Sequence, residues 1–143
     1  KIMNRLLFGG FENFGLQVAE INGGSLRNAI PRESSATVII SAIFDEVFVF
    51  DMLQVIKDIK AEFKTTEPNL QILIEKTATP THVMDLGVQE GFIRALYAAH
   101  NGVYRMSADM HDLVETSNNK KSNNKKLKSG HFYISARMKI SQK

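Results

Sequence analysis

The stretch Gly23–Glu33, GGSLRNAIPRE, concentrates the residue types best suited to binding chemistry. Arg27 and Asn28 are hydrogen-bond donors. A neutral asparagine amide can polarise a carbonyl or hold an oxyanion without competing for a metal ligand's proton. The same residues also make an ordinary structural crossover: Gly23 and Gly24 allow positive φ, Pro31 fixes the exit, and Arg32-Glu33 is a surface pair. Residue types alone leave both readings open. Elsewhere the chemistry is thin. His82, His100, His111 and His131 never fall at the four-residue step of a helical metal pair. Asp109, His111 and Asp112 form one acidic-histidine cluster, whose plainer role is to cap a loop. No serine or threonine sits in a nucleophile-elbow context, and no glycine-rich phosphate loop precedes a helix. The expectation is a chain with neither a complete active site nor a metal site of its own.

The balance of charge, +3 over 143 residues, invites a nucleic-acid reading. Lys120, Lys121, Lys125, Lys126 and Lys128 account for it. Without these five, thirteen basic residues face fifteen acidic ones, a balance of −2. A nucleic-acid surface spreads its basic residues along a face or groove, so this run reads as a solvated turn. It holds a short repeat, Ser117-Asn-Asn-Lys-Lys121 followed by Ser122-Asn-Asn-Lys-Lys126. Phe132 and Tyr133 are adjacent and point to opposite faces of a strand, a poor platform for stacking bases. Absent cysteine leaves no disulfide or thiolate-metal chemistry and is compatible with a cytoplasmic setting. The most apolar run, Val38–Phe50, is interrupted by Asp45 and Glu46 and is too short to span a bilayer.

The elements that must position these residues alternate between two periods. Ile2, Met3, Leu6 and Leu7 mark a helix over Lys1–Leu7, which Gly9-Gly10 should stop. Leu16–Ile21 alternates as a half-buried strand, and the β-branched run in Ser34–Phe44 predicts an interior one. Asp45 suits an N-cap, followed by Phe48, Met52, Val55, Ile56, Ile59 and Phe63 at three- and four-residue steps. Leu70–Ile74 reads as a strand. Pro80-Thr81 opens a second main helix with Met84, Val88, Phe92, Ala95, Leu96 and Ala99 on its apolar face, closed by Asn101-Gly102. Gly102–Asp112 reads as a loop, Leu113–Ser117 as a short strand, and His131–Ile140 as the last strand. The predicted class is α+β: an antiparallel sheet with two main helices on one face, in a single domain over 1–143. Lys1 opens inside a helical pattern and Ser141-Gln142-Lys143 follows strand residues directly, so both ends are expected to be cut from a longer chain.

Three blocks resemble the lid of aminoacyl-histidine dipeptidases, the carnosine-cleaving branch of the dinuclear zinc aminoacylase/carboxypeptidase superfamily. They are GGSLRNAIPRE with Ala36-Thr37-Val38 after it, FIRALYAAHNGV at Phe92–Val103, and MSADMHDLVETSNN at Met106–Asn119. KIMNRLLFG is similar to the helix that leads into that lid. The resemblance implies a ferredoxin-like lid and dimerisation domain inserted in the middle of a metallopeptidase that hydrolyses Xaa-His dipeptides. It implies zinc ligands only in the parent's catalytic domain, with that domain, a second subunit of a homodimer and the dipeptide as partners, and neither nucleic acid nor membrane. The family's lid asparagine falls on Asn28, as a substrate-binding or transition-state residue. Its substrate-binding arginine of the last strand falls on Lys139, while Arg137 lies two residues earlier on the same face and alone offers the bidentate fork a carboxylate favours. The competing expectation is a free-standing α+β interaction or RNA-binding domain that uses the Lys-rich loop.

Overall fold

The computed structural model describes residues 1–23, 33–78 and 80–118, and the backbone of 134–139. The first helix, α1 (Ile2–Phe14), runs through the Gly9-Gly10 pair that should have stopped it. Gly10 serves packing instead. A Cβ there would lie 2.5 Å from Leu16 Cδ1 and 3.3 Å from the Phe48 ring, so the smallest residue lets Leu16 and Phe48 close on the helix. The stop comes at Gly15, whose φ of 62° is the left-handed conformation glycine adopts without strain.

Strands β1 (Gln17–Gly23) and β2 (Glu33–Ile39) pair antiparallel, with a bulge between Val18 and Glu20. The apolar run after β2 leaves the sheet sooner than expected. Ile43 and Phe44 lie in a single 3-10 turn, Ala42–Phe44, and reach solvent rather than the interior. Helix α2 (Asp45–Glu62) buries Phe48, Met52, Ile56 and Ile59, with Val55 and Phe63 packed at the margin, as its periodicity predicts. Its N-cap is Phe44, without a side-chain cap; Asp45 sits in the first turn and pairs with Lys76 just past β3 (Gln71–Glu75). A carboxylate in the first turn faces the positive end of the helix dipole, which favours it there without a capping bond.

The second main helix, α3 (Leu86–Ala98), begins five residues later than Pro80-Thr81 suggested. Asp85 caps it, its Oδ1 accepting from Gly87 N and Val88 N at 3.0 and 3.3 Å. Residues 80–84 are drawn against the sheet instead: Val83 is buried with Ala19 and Ile39, and Met84 N donates to Val18 O at 2.7 Å. The predicted apolar face of α3 is displaced as well. Val88 is 61% exposed and Phe92 37%, whereas Gln89 and Ile93 are fully buried. Gly102, with φ 106°, opens a strand rather than closing the helix.

Gly102–Asp112, expected to be a loop, contains strand β4 (Gly102–Met106), which pairs antiparallel with β5 (Val114–Asn118) as a separate hairpin. Strand β6 (Ile134–Lys139) enters the larger sheet between β2 and β3, giving the order β1-β2-β6-β3 with every pairing antiparallel. The class is therefore α+β. Residues of α1 and α2 meet Val18, Ala36, Val38 and Ile72 in one core, to which α3 adds Ile93. A gap of about 20 Å³ among Met3, Leu7, Val38, Met52 and Ile74 is apolar and about the size of one water, so it is a packing defect rather than a ligand site.

Candidate functional site

Asn28 and Arg27 lie outside the described residues, as does the Lys-rich run 120–128. The structure does define the two ends of the Asn28 segment. Gly23 and Ser34 are register partners, so the described residues that flank the segment lie side by side in the sheet. Ser34 Oγ donates to Asn22 O at 3.1 Å there, and a Cβ on Gly23 would sit 3.1 Å from Ser34 Oγ. The close approach of the two strands explains the first glycine of the pair.

Strand β6 carries the other two candidates to the same place. Lys139 pairs with Glu33 on one side and Gln71 on the other; Arg137 pairs with Ser35 and Leu73. Residues that pair directly share a face, and so do residues two apart along a strand. Positions 137 and 139 thus belong to the rank of Glu33, Ser35, Gln71 and Leu73, opposite the one that holds Ala36, Val38 and Ile72 in the core. Over a hundred residues separate Lys139 from Glu33 in sequence, yet they are neighbours in the sheet. The fold therefore sets the backbone of positions 137 and 139 beside the first residues of β2. The face they share is mostly polar: Asn22 Nδ2 donates to Glu20 Oε1 at 2.9 Å, next to Ser35 and Thr37.

The acidic-histidine cluster lands elsewhere. His111 Nδ1 lies 2.9 Å from Asp112 Oδ2 at the tip of the β4–β5 hairpin, and both side chains are almost wholly in water. The tip is shaped by Ser107, whose Oγ accepts from Asp109 N and Met110 N. Among the described residues no three histidine or carboxylate side chains converge to hold a metal ion.

Sequence reasoning missed Gln89. Its Oε1 accepts from Val18 N at 2.6 Å and its Nε2 donates to Leu16 O at 2.7 Å. The amide behaves as one residue of an extra strand along the outer edge of β1, beside the bulge in its pairing with β2. A buried polar group is tolerable because both of its ends are satisfied. A lone glutamine between apolar helix positions gives no sign of this in the sequence.

No family model matches the chain. Over 121 residues it is 38% identical to the cytosol non-specific dipeptidase of Escherichia coli (strain K12), covering 83% of this chain and 24% of that protein. The crystal structure of aminoacylhistidine dipeptidase from Vibrio alginolyticus superposes with a TM-score of 0.78 at 31% identity, over 97% of this chain and 28% of that one. The chain is homologous to a segment of these dipeptidases. It spans about a quarter of the length of these two relatives. Among the described residues, no helix is long and apolar enough to cross a membrane.

Proposed function

We propose that this segment is the substrate-covering lid and dimerisation domain of a cytoplasmic, zinc-dependent dipeptidase that hydrolyses Xaa-His dipeptides. The observation that supports the reading is the register of β6, which pairs Lys139 with Glu33 and Arg137 with Ser35 at the start of β2, within a fold matched to a dipeptidase. In this reading the zinc would be held by residues of the parent chain outside this segment; among the described residues no three histidine or carboxylate side chains converge. In this reading Asn28 donates its amide to the scissile carbonyl as negative charge develops on the oxygen. Arg137 or Lys139 receives the dipeptide's terminal carboxylate, the arginine by a two-bond fork and the lysine as a point charge. A lid that closes on substrate orients it and excludes water, which strengthens both interactions.

Dimerisation is supported by the outer face of α2. Val47, Phe50 and Leu53 recur at three-residue steps and are all more than half exposed, with Ile43 just before them. An apolar stripe on the solvent side of a helix fits a helix-to-helix contact between two copies. The test of the site is steady-state kinetics on a Xaa-His dipeptide with the parent enzyme, wild type against Asn28→Ala. The expected result is a fall in kcat/KM of about a hundredfold with the fold intact, equivalent to roughly 2.7 kcal/mol. Unchanged kcat and KM would reduce Asn28 to a crossover residue.

A further inference from the structure

The β4–β5 hairpin is well specified locally and poorly covered. Its base is tied to the end of α3: Asn118 Nδ2 donates to His100 O at 3.2 Å, His100 Nε2 lies 3.0 Å from Val103 O, and the His100 ring meets Tyr104 edge-on at 5.5 Å. Arg105 and Glu115 pair across it at 2.8 Å, and the Ser107 turn shapes its tip. Yet it forms a sheet of its own, and its strands are exposed almost throughout. Tyr104 is 74% exposed and Met110 60%, with Val103, Leu113 and the cross-strand pair Met106–Val114 also open to water. A two-stranded hairpin is marginal in water without a third strand or a packed layer. A fixed shape that presents contiguous apolar side chains marks a docking surface.

The size of this surface points to its occupant. Stable interfaces between separate molecules take roughly 20–30 residues a side, and association costs about 4–15 kcal/mol in lost freedom. Gly102–Asn118 is smaller than such a side. A segment linked through the same chain escapes most of that cost, because linkage raises its local concentration. The two dipeptidase relatives are longer chains: the part matched here is 24% and 28% of their lengths. We infer that the β4–β5 hairpin is the seat for an apolar element of the same dipeptidase chain lying outside these residues, which completes it as a packed layer. The outer face of α2 is left for a second copy. The inference rests on the proposed dipeptidase parent, but its test does not use hydrolysis, so the two can fail separately.

The test uses the longer chain that carries this segment. Amide hydrogen exchange over Val103–Met106 and Val114–Ser117 should be slowed at least about a hundredfold relative to an unstructured peptide, and equally so above and below the concentration at which any dimer dissociates. With Tyr104→p-benzoylphenylalanine, irradiation should join the hairpin to a peptide of the same chain outside these residues. Free exchange in the hairpin would overturn the inference, as would protection or cross-links that appear only with a second copy. A natural product with no sequence beyond these residues would overturn it too. A chain that passes both measurements but hydrolyses no dipeptide would sink the proposed function and leave the seat standing.

Discussion

The four-stranded body and the β4–β5 hairpin are both antiparallel and both close with ordinary register, yet they are held by different forces. In the body, β6 lies between β2 and β3, and the sheet face rests on α1 and α2, so among the described residues Val18, Ala36, Val38 and Ile72 leave water. In the hairpin the register is kept by the backbone ladder, one Arg105–Glu115 pair and the His100 anchor at its base, while its apolar side chains remain outside. Exposed ion pairs contribute about 0–1 kcal/mol, far less than buried apolar area. The comparison separates specification from stabilisation. Local hydrogen bonds suffice to choose the hairpin's shape; only burial gives the body its stability.

The largest effect should come from the body. Ile59→Ala removes a fully buried side chain from the α2 face and should cost about 2–5 kcal/mol, read as a lower denaturation midpoint. A loss under about 1 kcal/mol would show that α2 is loosely seated and blur the contrast. Gln89→Ala tests the boundary of the body, the outer edge of β1. It leaves Val18 N and Leu16 O without the amide that satisfies them and should cost about 1–3 kcal/mol. Gln89→Glu keeps one acceptor and loses the donor, so Val18 N should remain protected from hydrogen exchange while overall stability still falls. The smallest effect belongs to the hairpin. Tyr104→Ser in this chain by itself should change the unfolding free energy by no more than about 0.5 kcal/mol, because the ring is mostly solvated. A larger loss would mean the hairpin is part of the core's cooperative unit.

Several elements were legible because their signals are local. The three- and four-residue steps from Phe48 to Ile59 give α2 and the side chains it buries, and the β-branched run gives β2 and its buried Val38. The failures share one cause. Gly9-Gly10 reads as a stop, but Gly10 is a contact point with Leu16, and no local rule knows what lies across the helix. Counting apolar positions in α3 selects Val88 and Phe92, whereas the helix is turned so that Gln89 meets the backbone of β1. A polar residue chosen for an edge is invisible to a count of apolar ones. Strand β4 was missed because Val103, Tyr104 and Met106 sit on a bulged pair whose partner comes only after the turn.

For the candidate site, the sequence itself supplied residue identity: an asparagine and arginine between paired glycines and a proline, and the basic Arg137 and Lys139 at one face of a last strand. The first pair stands out by residue type; Arg137 and Lys139 are singled out by the dipeptidase resemblance, and only their shared face follows from the two-residue period of a strand. Tertiary structure decided which of them are neighbours. Inserting β6 between β2 and β3 sets Lys139 against Glu33 through backbone hydrogen bonding, an interaction with no record in local sequence. It equally decided which apolar residues remain outside, because burial is a property of what packs against a side chain and not of the side chain alone.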